Sequence, residues 1–242
     1  MAEDEIRKHG KAVFKALSNR EKNWRHKLID ILVEILIIVF AVSISIWFHN
    51  WSDELKEKKL ENEFLKGLRT DLQSDLKEMT GDTAAYHVIL NGMLYFRKVG
   101  AGQSLNQDSL KNYSWIFFAS VRKQARTNRF EALKSSGKLD IIENKELLAN
   151  IISLYQEINP TIAESDRQFT NYNNNKIGVL IDSYARLDSA NNITNWLQIF
   201  RSSSFRMALF RDNTIREIIG SYESGINKCN EIIKQIDFRT KE

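Results

Sequence analysis

The chain has 242 residues, 27% of them charged and 43% hydrophobic, with one proline, ten glycines and one cysteine. This composition excludes collagen-like, low-complexity and disulfide-stapled proteins. Proline and glycine are too scarce for the frequent turns of a β-sandwich or barrel, so we expect an all-α protein built from long helices.

The formal net charge of +4 is concentrated at the N-terminus. Residues 1–27 hold eight basic and four acidic residues, which leaves residues 28–242 formally neutral. A nucleic-acid-binding domain needs a basic face, so this distribution argues against a nucleic-acid partner. The tail itself places lysines opposite an apolar helical face, as in a basic amphipathic helix lying on an anionic membrane surface on the cytoplasmic side. A solvated, disordered tail is the alternative.

The next segment, residues 28–48, reads LIDILVEILIIVFAVSISIWF and contains only two charged residues. A helix of 21 residues spans about 30 Å, which is the thickness of the hydrocarbon layer of a bilayer. The apolar run is longer than that of a cleaved signal peptide and begins 27 residues into the chain. We therefore predict a transmembrane helix that acts as an uncleaved anchor, in preference to a buried core helix.

Aromatic and basic residues on both sides of this segment predict how it sits in a membrane. Trp24 precedes it, and Trp47 and Trp51 lie at its far end, where amphipathic rings favour the membrane interface. Eight basic residues lie before the segment and three lie soon after it. The excess of positive charge places the N-terminus in the cytoplasm and the large C-terminal part outside.

One face of the predicted transmembrane helix carries polar and small residues: Asp30, Glu34, Ala41 and Ser45. Ala41 and Ser45 form a small-xxx-small pair that allows two helices to approach closely. An ionisable group inside a membrane is unfavourable unless it faces protein or water, so we predict self-association or a partner helix along this stripe. Glu34 has two interpretations, a hydrogen bond between helices in its protonated form or part of a proton or ion path.

Leucines continue at three- and four-residue steps after the anchor, from Leu55 to Met79, and no proline interrupts them. This pattern predicts that residues 49–81 form a coiled stalk helix, followed by an extracytoplasmic helical bundle in residues 82–242. Within the bundle we expect helices over 83–99, 107–123, 128–137, 144 to at least 157, and 204–238. A break is expected at 171–175 and a loop at 188–194. Cys229 has isoleucines at helical spacing around it and is expected in the core.

Two adjacent segments carry a resemblance. Residues 130–137 read FEALKSSG, and residues 139–144 read LDIIEN. In this motif Phe130 leads the helix, Ser135 and Ser136 form its polar end, and Gly137 supplies a left-handed cap. The chain resembles, over residues 28–238, an uncharacterised family of single-pass bacterial membrane proteins. A glycine typical of that family's membrane helix is absent, and Ala41 is the nearest small residue.

The resemblance implies a bacterial inner-membrane protein with a periplasmic helical domain. It implies no activity.

A basic cluster of six residues follows in the predicted bundle, with a local balance of +5 because Glu131 is the only acid between them. The cluster comprises Arg122, Lys123, Arg126, Arg129, Lys134 and Lys138. A solvated helix face is the default interpretation. The functional alternative is a surface for an anionic partner, such as lipid headgroups, an envelope polymer or an acidic protein.

No catalytic pattern accompanies these features. Two Ser-x-x-Lys spacings occur, but no second motif supports a hydrolase, and the four histidines are too scattered for a zinc site. We therefore expect neither enzymatic activity nor a cofactor. The leading hypothesis is a membrane-anchored helical assembly or interaction protein, homo-oligomeric through its transmembrane stripe and stalk. The alternatives are a proton- or ion-coupled channel or stator-like element that uses Glu34, and a ligand-sensing helical bundle.

The expected partners follow from the same features. They are the lipid bilayer, further copies of the chain, and a second membrane or envelope protein.

Overall fold

The computed structural model describes the backbone of residues 24–239 and the side chains of residues 28–239. Over this range the protein is all-α, as predicted, and contains no strand. Packing divides the chain into two compact units, with the boundary between Glu61 and Asn62. The predicted basic amphipathic tail, residues 1–27, lies outside the residues whose side chains are described, and so does the ring of Trp24.

The first helix, α1, runs from Trp24 to Gly100 without interruption. The sequence predicted a separate helix beginning at Thr83, and this prediction is wrong. Gly81 lies inside α1, where a glycine destabilises a helix by about 1 kcal/mol relative to alanine. Buried Met79 and Tyr86 lie on either side of it, and their packing outweighs that penalty.

The apolar segment of α1 belongs to the first unit. Among the described residues, α1 is the one helix long and apolar enough to cross a membrane, and none of its most apolar 18-residue window is buried. The aromatic residues at the end of this segment pack on one another. The rings of Trp47 and Trp51 stack with their centroids 6.1 Å apart, and Phe48 meets Trp51 edge-on at 5.5 Å.

The second unit buries the following part of α1 in its core. Its apolar side chains recur on one face of the helix and are at most 6% exposed: Phe64, Leu65, Leu68, Leu72 and Met79. The predicted coiled stalk therefore becomes a core helix from Phe64 onward. These residues are covered by the same chain and offer no seam to a second copy.

The predicted helix over 107–123 is wrong beyond Tyr113. Helix α2 covers Gln107–Tyr113, with the side chain of Asn106 capping its first turn, and a 3-10 turn covers Ser114–Phe118. Residues 119–127, which we call the strap, are not helical. Phe117 explains the change of direction, because its ring packs into an aromatic cluster with Phe96 at 5.0 Å and Phe205 at 5.4 Å.

The motif region folds as the sequence predicted. Helix α3 covers Asn128–Ser135, and Gly137 adopts a φ of 69°, the left-handed conformation that ends a helix. A 3-10 turn at Leu139–Ile141 follows. Asn144 then caps helix α4, Lys145–Ser153, by accepting hydrogen bonds from two backbone N–H groups.

Helix α4 continues through two π-helical turns. The first, Leu154–Ile158, precedes α5, Asn159–Tyr172, and the second, Asn173–Gly178, leads into α6, Val179–Tyr184. Pro160 lies in the first turn of α5, where the π turn accommodates its missing N–H. The predicted break at 171–175 is wrong. Asn173 is buried there and donates to the carbonyls of Ile116 and Ala119, which holds the helix against the 3-10 turn.

The remaining helices close the second unit. The loop predicted at 188–194 is present and is organised by Asp188, which accepts from the backbone of Ala190 and Asn192. Helices α7, Trp196–Arg201, α8, Ser203–Ala208, and α9, Asp212–Arg239, follow. The predicted final helix therefore starts later than expected. The prediction that Cys229 is buried is confirmed, since it is 1% exposed.

Candidate functional site

A cleft of about 660 Å³ opens in the second unit between α5, the π turn after it, and α9. Its floor is apolar and buried, formed by Met93, Phe169, Ile215 and Ile218. Its walls are polar. They carry Ser165, Gln168, Asn171, Asn175, Thr214, Glu217 and Ser221. An apolar floor with polar groups at the rim, at a volume within the range of about 300–1,000 Å³, is typical of small-molecule sites.

One end of the cleft is basic. The guanidinium carbon of Arg211 lies 4.2 Å from the ring centroid of Tyr172, and Lys176 follows Tyr172 by about one turn. The hydroxyl of Tyr172 donates to the carbonyl of Ala208 at 3.0 Å, which fixes the ring under the guanidinium. Within residues 28–239, no ion pair joins Arg211 or Lys176 to a carboxylate. Both cations therefore face the cleft with their charge uncompensated by the described residues.

The other end of the cleft is acidic. A shallower groove of about 480 Å³ continues along α5 and α9, and it shares Glu217 and Ser221 with the cleft. Glu157 and Gly220 also line this groove. Helices α5 and α9 are antiparallel here, so the charge changes from basic to acidic along a single line.

A buried carboxylate supports the cleft from below. Asp166 is 2% exposed and accepts three hydrogen bonds: from the hydroxyls of Tyr86 and Tyr222, both at 2.8 Å, and from the backbone N–H of Lys123 at 2.9 Å. We call these four groups the Asp166 cluster. It joins α1, α5, α9 and the strap at one point. The ring of Tyr86 meets Phe169 edge-on at 5.3 Å, so the cluster also positions the cleft floor.

Burial controls the ionisation of this cluster. It raises the pKa of Asp166 above its ordinary value, although the three hydrogen bonds act in the opposite direction. Burial also raises the pKa of the neighbouring Asp82, and the charge of Asp166 adds to this rise. The pKa values of Tyr86 and Tyr222 are raised by burial and by the same carboxylate, so both hydroxyls stay protonated as donors.

Lys123 was predicted to belong to a basic surface, and the structure places it in the interior. It is 6% exposed, and its Nζ donates to Oδ1 of Asn159 at 3.0 Å. Burial lowers its pKa, while nearby charges, Asp75 first among them, act to raise it. Lys123 is therefore a structural residue that ties the strap to α5, and it is not accessible to an anionic partner.

Two other members of the basic cluster, Arg126 and Arg129, meet acidic side chains of α1. Nη1 of Arg126 lies 2.6 Å from Asp75 and 3.3 Å from Glu78, and Nε of Arg129 lies 2.9 Å from Asp71. Gly67 leaves room for the Arg129 guanidinium, since a Cβ there would clash with its Cζ. Acids about 50 residues earlier in the chain therefore offset part of the local charge of +5, and the geometry does not support an open patch for an anionic partner.

The remaining three members of that cluster have minor roles. Lys134 pairs with Glu131 at 3.8 Å and lies over the Phe130 ring, whereas Arg122 and Lys138 are exposed.

The motif residues serve local structure. Phe130 is fully buried and stacks on Tyr155 at 4.7 Å, and the hydroxyl of Ser136 donates to the carbonyl of Leu133. Ser135 is exposed. Together with the positive φ of Gly137, these contacts fix the end of α3.

On the predicted transmembrane stripe, Asp30 and Glu34 are half-buried, and Ala41 and Ser45 are exposed. The Ser45 hydroxyl donates to the Ala41 carbonyl at 2.8 Å. Its proton is thus used within the helix, as is typical of serine in apolar helices.

Sequence reasoning missed the cleft. The polar run from Asn171 to Asn175 was interpreted as a helix break, whereas Asn171 and Asn175 line the cleft and Asn173 anchors it from inside. A polar run inside an otherwise helical pattern was the available signal, and π turns recur at functional sites.

No group of His, Cys, Asp or Glu side chains suited to a metal occurs among the described residues. Comparison with family models, curated proteins and solved structures gives no match to this chain.

Proposed function

We propose that this protein is a membrane-anchored helical protein that self-associates through its anchor and presents a helical interaction domain. The observation that carries the proposal is the exposure of the apolar segment. Its large side chains are uncovered on every side of α1, with Leu36 67%, Phe40 64% and Trp47 63% exposed. An apolar surface of this length needs lipid or another protein to cover it.

Close packing along the stripe supports self-association. Ala41 and Ser45 lie one turn apart, and their small side chains project little from the helix, which lets a second backbone approach. Ser45 donates within its own helix, and we assign the contact between helices to Glu34, which lies nearer the middle of the apolar segment than Asp30 does. The stalk from Phe64 onward packs in its own domain, so the association surface is confined to residues before it.

The proposed location is a bacterial inner membrane, with the N-terminus cytoplasmic and the C-terminal domain periplasmic. The excess of basic residues before the apolar segment supports this orientation. The stacked pair of Trp47 and Trp51 is consistent with an interfacial aromatic anchor at the segment's end. The family resemblance carried by residues 130–144 supports the compartment.

The test is the mass of the full-length protein in lipid discs. We expect a closed oligomer that Ala41→Leu dissociates, because the larger side chain prevents close approach. Ser43→Leu is the matched control, since Ser43 is also small and exposed but lies on the opposite face. A monomeric wild type, or equal disruption by both variants, contradicts self-association through the stripe.

A flux measurement in liposomes, beside the mass in lipid discs, addresses the ion-coupled alternative. Glu34→Gln keeps the hydrogen-bonding shape and removes the charge. If Glu34 serves assembly alone, the variant keeps the oligomer and proton flux into liposomes is absent for both proteins. A flux that wild type supports and Glu34→Gln lacks would favour the proton- or ion-coupled function instead.

The third hypothesis, a ligand-sensing helical domain, is favoured by one observation, the cleft between α5 and α9. It is compatible with anchoring, since the two functions use different units of the chain. A ligand-induced rise in the unfolding temperature of the full-length protein would support it.

A further inference from the structure

We propose that the cleft between α5 and α9 binds a small amphipathic anion, with its apolar body on the floor and its anionic group at the Arg211 end. This inference deepens the ligand-sensing hypothesis by naming the class of ligand. It does not depend on self-association, because no residue of the apolar segment lines the cleft.

The floor selects an apolar body. Met93, Phe169, Ile215 and Ile218 are each no more than 5% exposed, and they come from α1, α5 and α9. The Asp166 cluster ties these same three helices together below the floor, so the surface is fixed before a ligand arrives. A preformed apolar floor favours an aryl or acyl group, because burying such a group removes its surface from water.

The basic end selects the anionic group. Arg211 lies over the ring of Tyr172 in a cation–π contact, and its guanidinium carries several N–H groups that can donate to an anion. A carboxylate or phosphate accepts two such bonds from one guanidinium. Lys176 lines the same cleft and supplies a second positive charge.

The polar walls set the direction of the ligand. Asn171 and Asn175 lie on the wall near the basic end and can donate amide hydrogens to the same anion. Glu217 lies toward the acidic end and repels an anion placed there. The volume of about 660 Å³ suits a small molecule, not a protein segment.

Carboxylate and phosphate share this recognition chemistry, and the apolar body can come from an aromatic acid or from a fatty acid. Isothermal titration of the full-length protein in lipid discs, with empty discs as the blank, distinguishes these sources. The probes are 4-phenylbutyrate, octanoate and inorganic phosphate, with 4-phenylbutylamine as the cationic match. We expect at least one of the two carboxylates to bind and the amine to fail. The carboxylate that binds more tightly shows whether the cleft prefers an aromatic or an acyl body.

The head-group contact is tested by Arg211→Gln. We expect at least an approximately tenfold weaker binding, the effect of losing one charge-assisted contact. Arg216→Gln is the matched control, because Arg216 is exposed on α9 five residues after Arg211 and does not line the cleft. It should bind as wild type does.

The body contact is tested by filling the cleft. Ser221→Trp places a large ring in it, and Glu223→Trp places the same ring at an exposed position nearby on α9. We expect the first to abolish binding and the second to leave it unchanged, with circular dichroism confirming that both fold. The proposal is overturned if neither carboxylate binds, if acid and amine bind equally, or if the control variants weaken binding as much as the cleft variants. Binding of phosphate alone overturns the amphipathic ligand.

Discussion

Two parts of one helix behave in opposite ways. Before Glu61, the apolar residues of α1 occur all round the helix and are exposed, whereas after Asn62 they form a stripe that is buried. Leu36 is 67% exposed and Leu68 is 0% exposed, although both are leucines in the same unbroken helix. The comparison shows that α1 is helical both where its side chains are exposed and where the rest of the chain buries them. The distribution of apolar residues around the axis decides which part folds into a core and which part needs lipid or a partner.

The largest effect should separate these two leucines. Leu68→Ala leaves a cavity in the core and should lower the free energy of unfolding by about 2–5 kcal/mol. Leu36→Ala removes an exposed side chain and should leave the unfolding of the second unit unchanged. Urea titration of the protein in lipid discs, followed by near-ultraviolet circular dichroism, measures both. Equal effects of the two substitutions would contradict the division of α1 into two environments.

A smaller effect is expected at the Asp166 cluster, which has no counterpart in the apolar segment. Asp166→Asn cannot accept all three hydrogen bonds and should lower the free energy of unfolding by about 1–3 kcal/mol. Glu223→Gln, an exposed substitution on α9, is the control and should have no effect.

The pH dependence of this difference gives a sharper test. Because the folded pKa of Asp166 is raised, the folded state binds a proton more tightly than the unfolded state does. The stability that Asp166 contributes is therefore greatest below its ordinary pKa of 3.8 and falls as the pH rises through the folded value. The advantage of wild type over Asp166→Asn should shrink over that window. An advantage that grows with pH would contradict the raised pKa.

A still smaller loss of stability is expected for a substitution in the basic cluster. Arg126→Gln removes the guanidinium from the buried carboxylate of Asp75, and we expect a loss of about 1–2 kcal/mol because Arg126 itself is 46% exposed. Arg122→Gln, at an exposed position that forms no ion pair within residues 28–239, should change nothing measurable. Thermal unfolding of both variants tests the assignment of the cluster to structure. Equal stability of the two variants would contradict a structural role for the cluster and favour a solvated surface.

The smallest effect is a gain. Gly81 lies in the interior of α1 with open space around it, so Gly81→Ala should stabilise the second unit by about 0.5–1 kcal/mol. Gly67→Ala is the contrasting variant. Its new Cβ would meet the Arg129 guanidinium and displace it, so it should not stabilise the protein. A loss of stability in Gly81→Ala would contradict a continuous helix at that position.

Features that depend on neighbouring residues were predictable from the sequence. The cap at Asn144, the left-handed Gly137 and the loop at 188–194 each rest on hydrogen bonds or backbone preferences within a few residues. The burial of Cys229 followed from the helical spacing of isoleucines.

Features that depend on distant residues were not predictable. The helix expected over 107–123 ends early because Phe117 packs with Phe96 and Phe205, and the strap after it is held by the carboxylates of Asp166, Glu78 and Asp75. The expected break at 171–175 is a π turn because Asn173 bonds the carbonyls of a turn more than 50 residues earlier.

The sequence by itself determined the all-α class and the unbroken apolar segment, because composition and helical period are local properties. The tertiary structure decided that the stalk stripe is core, that Arg126 and Arg129 of the basic cluster are paired with α1, and that polar residues of α5 and α9 face one cleft. Each of these depends on which helices meet. That choice is set by burial and charge pairing between residues far apart in the chain, and a local pattern does not encode it.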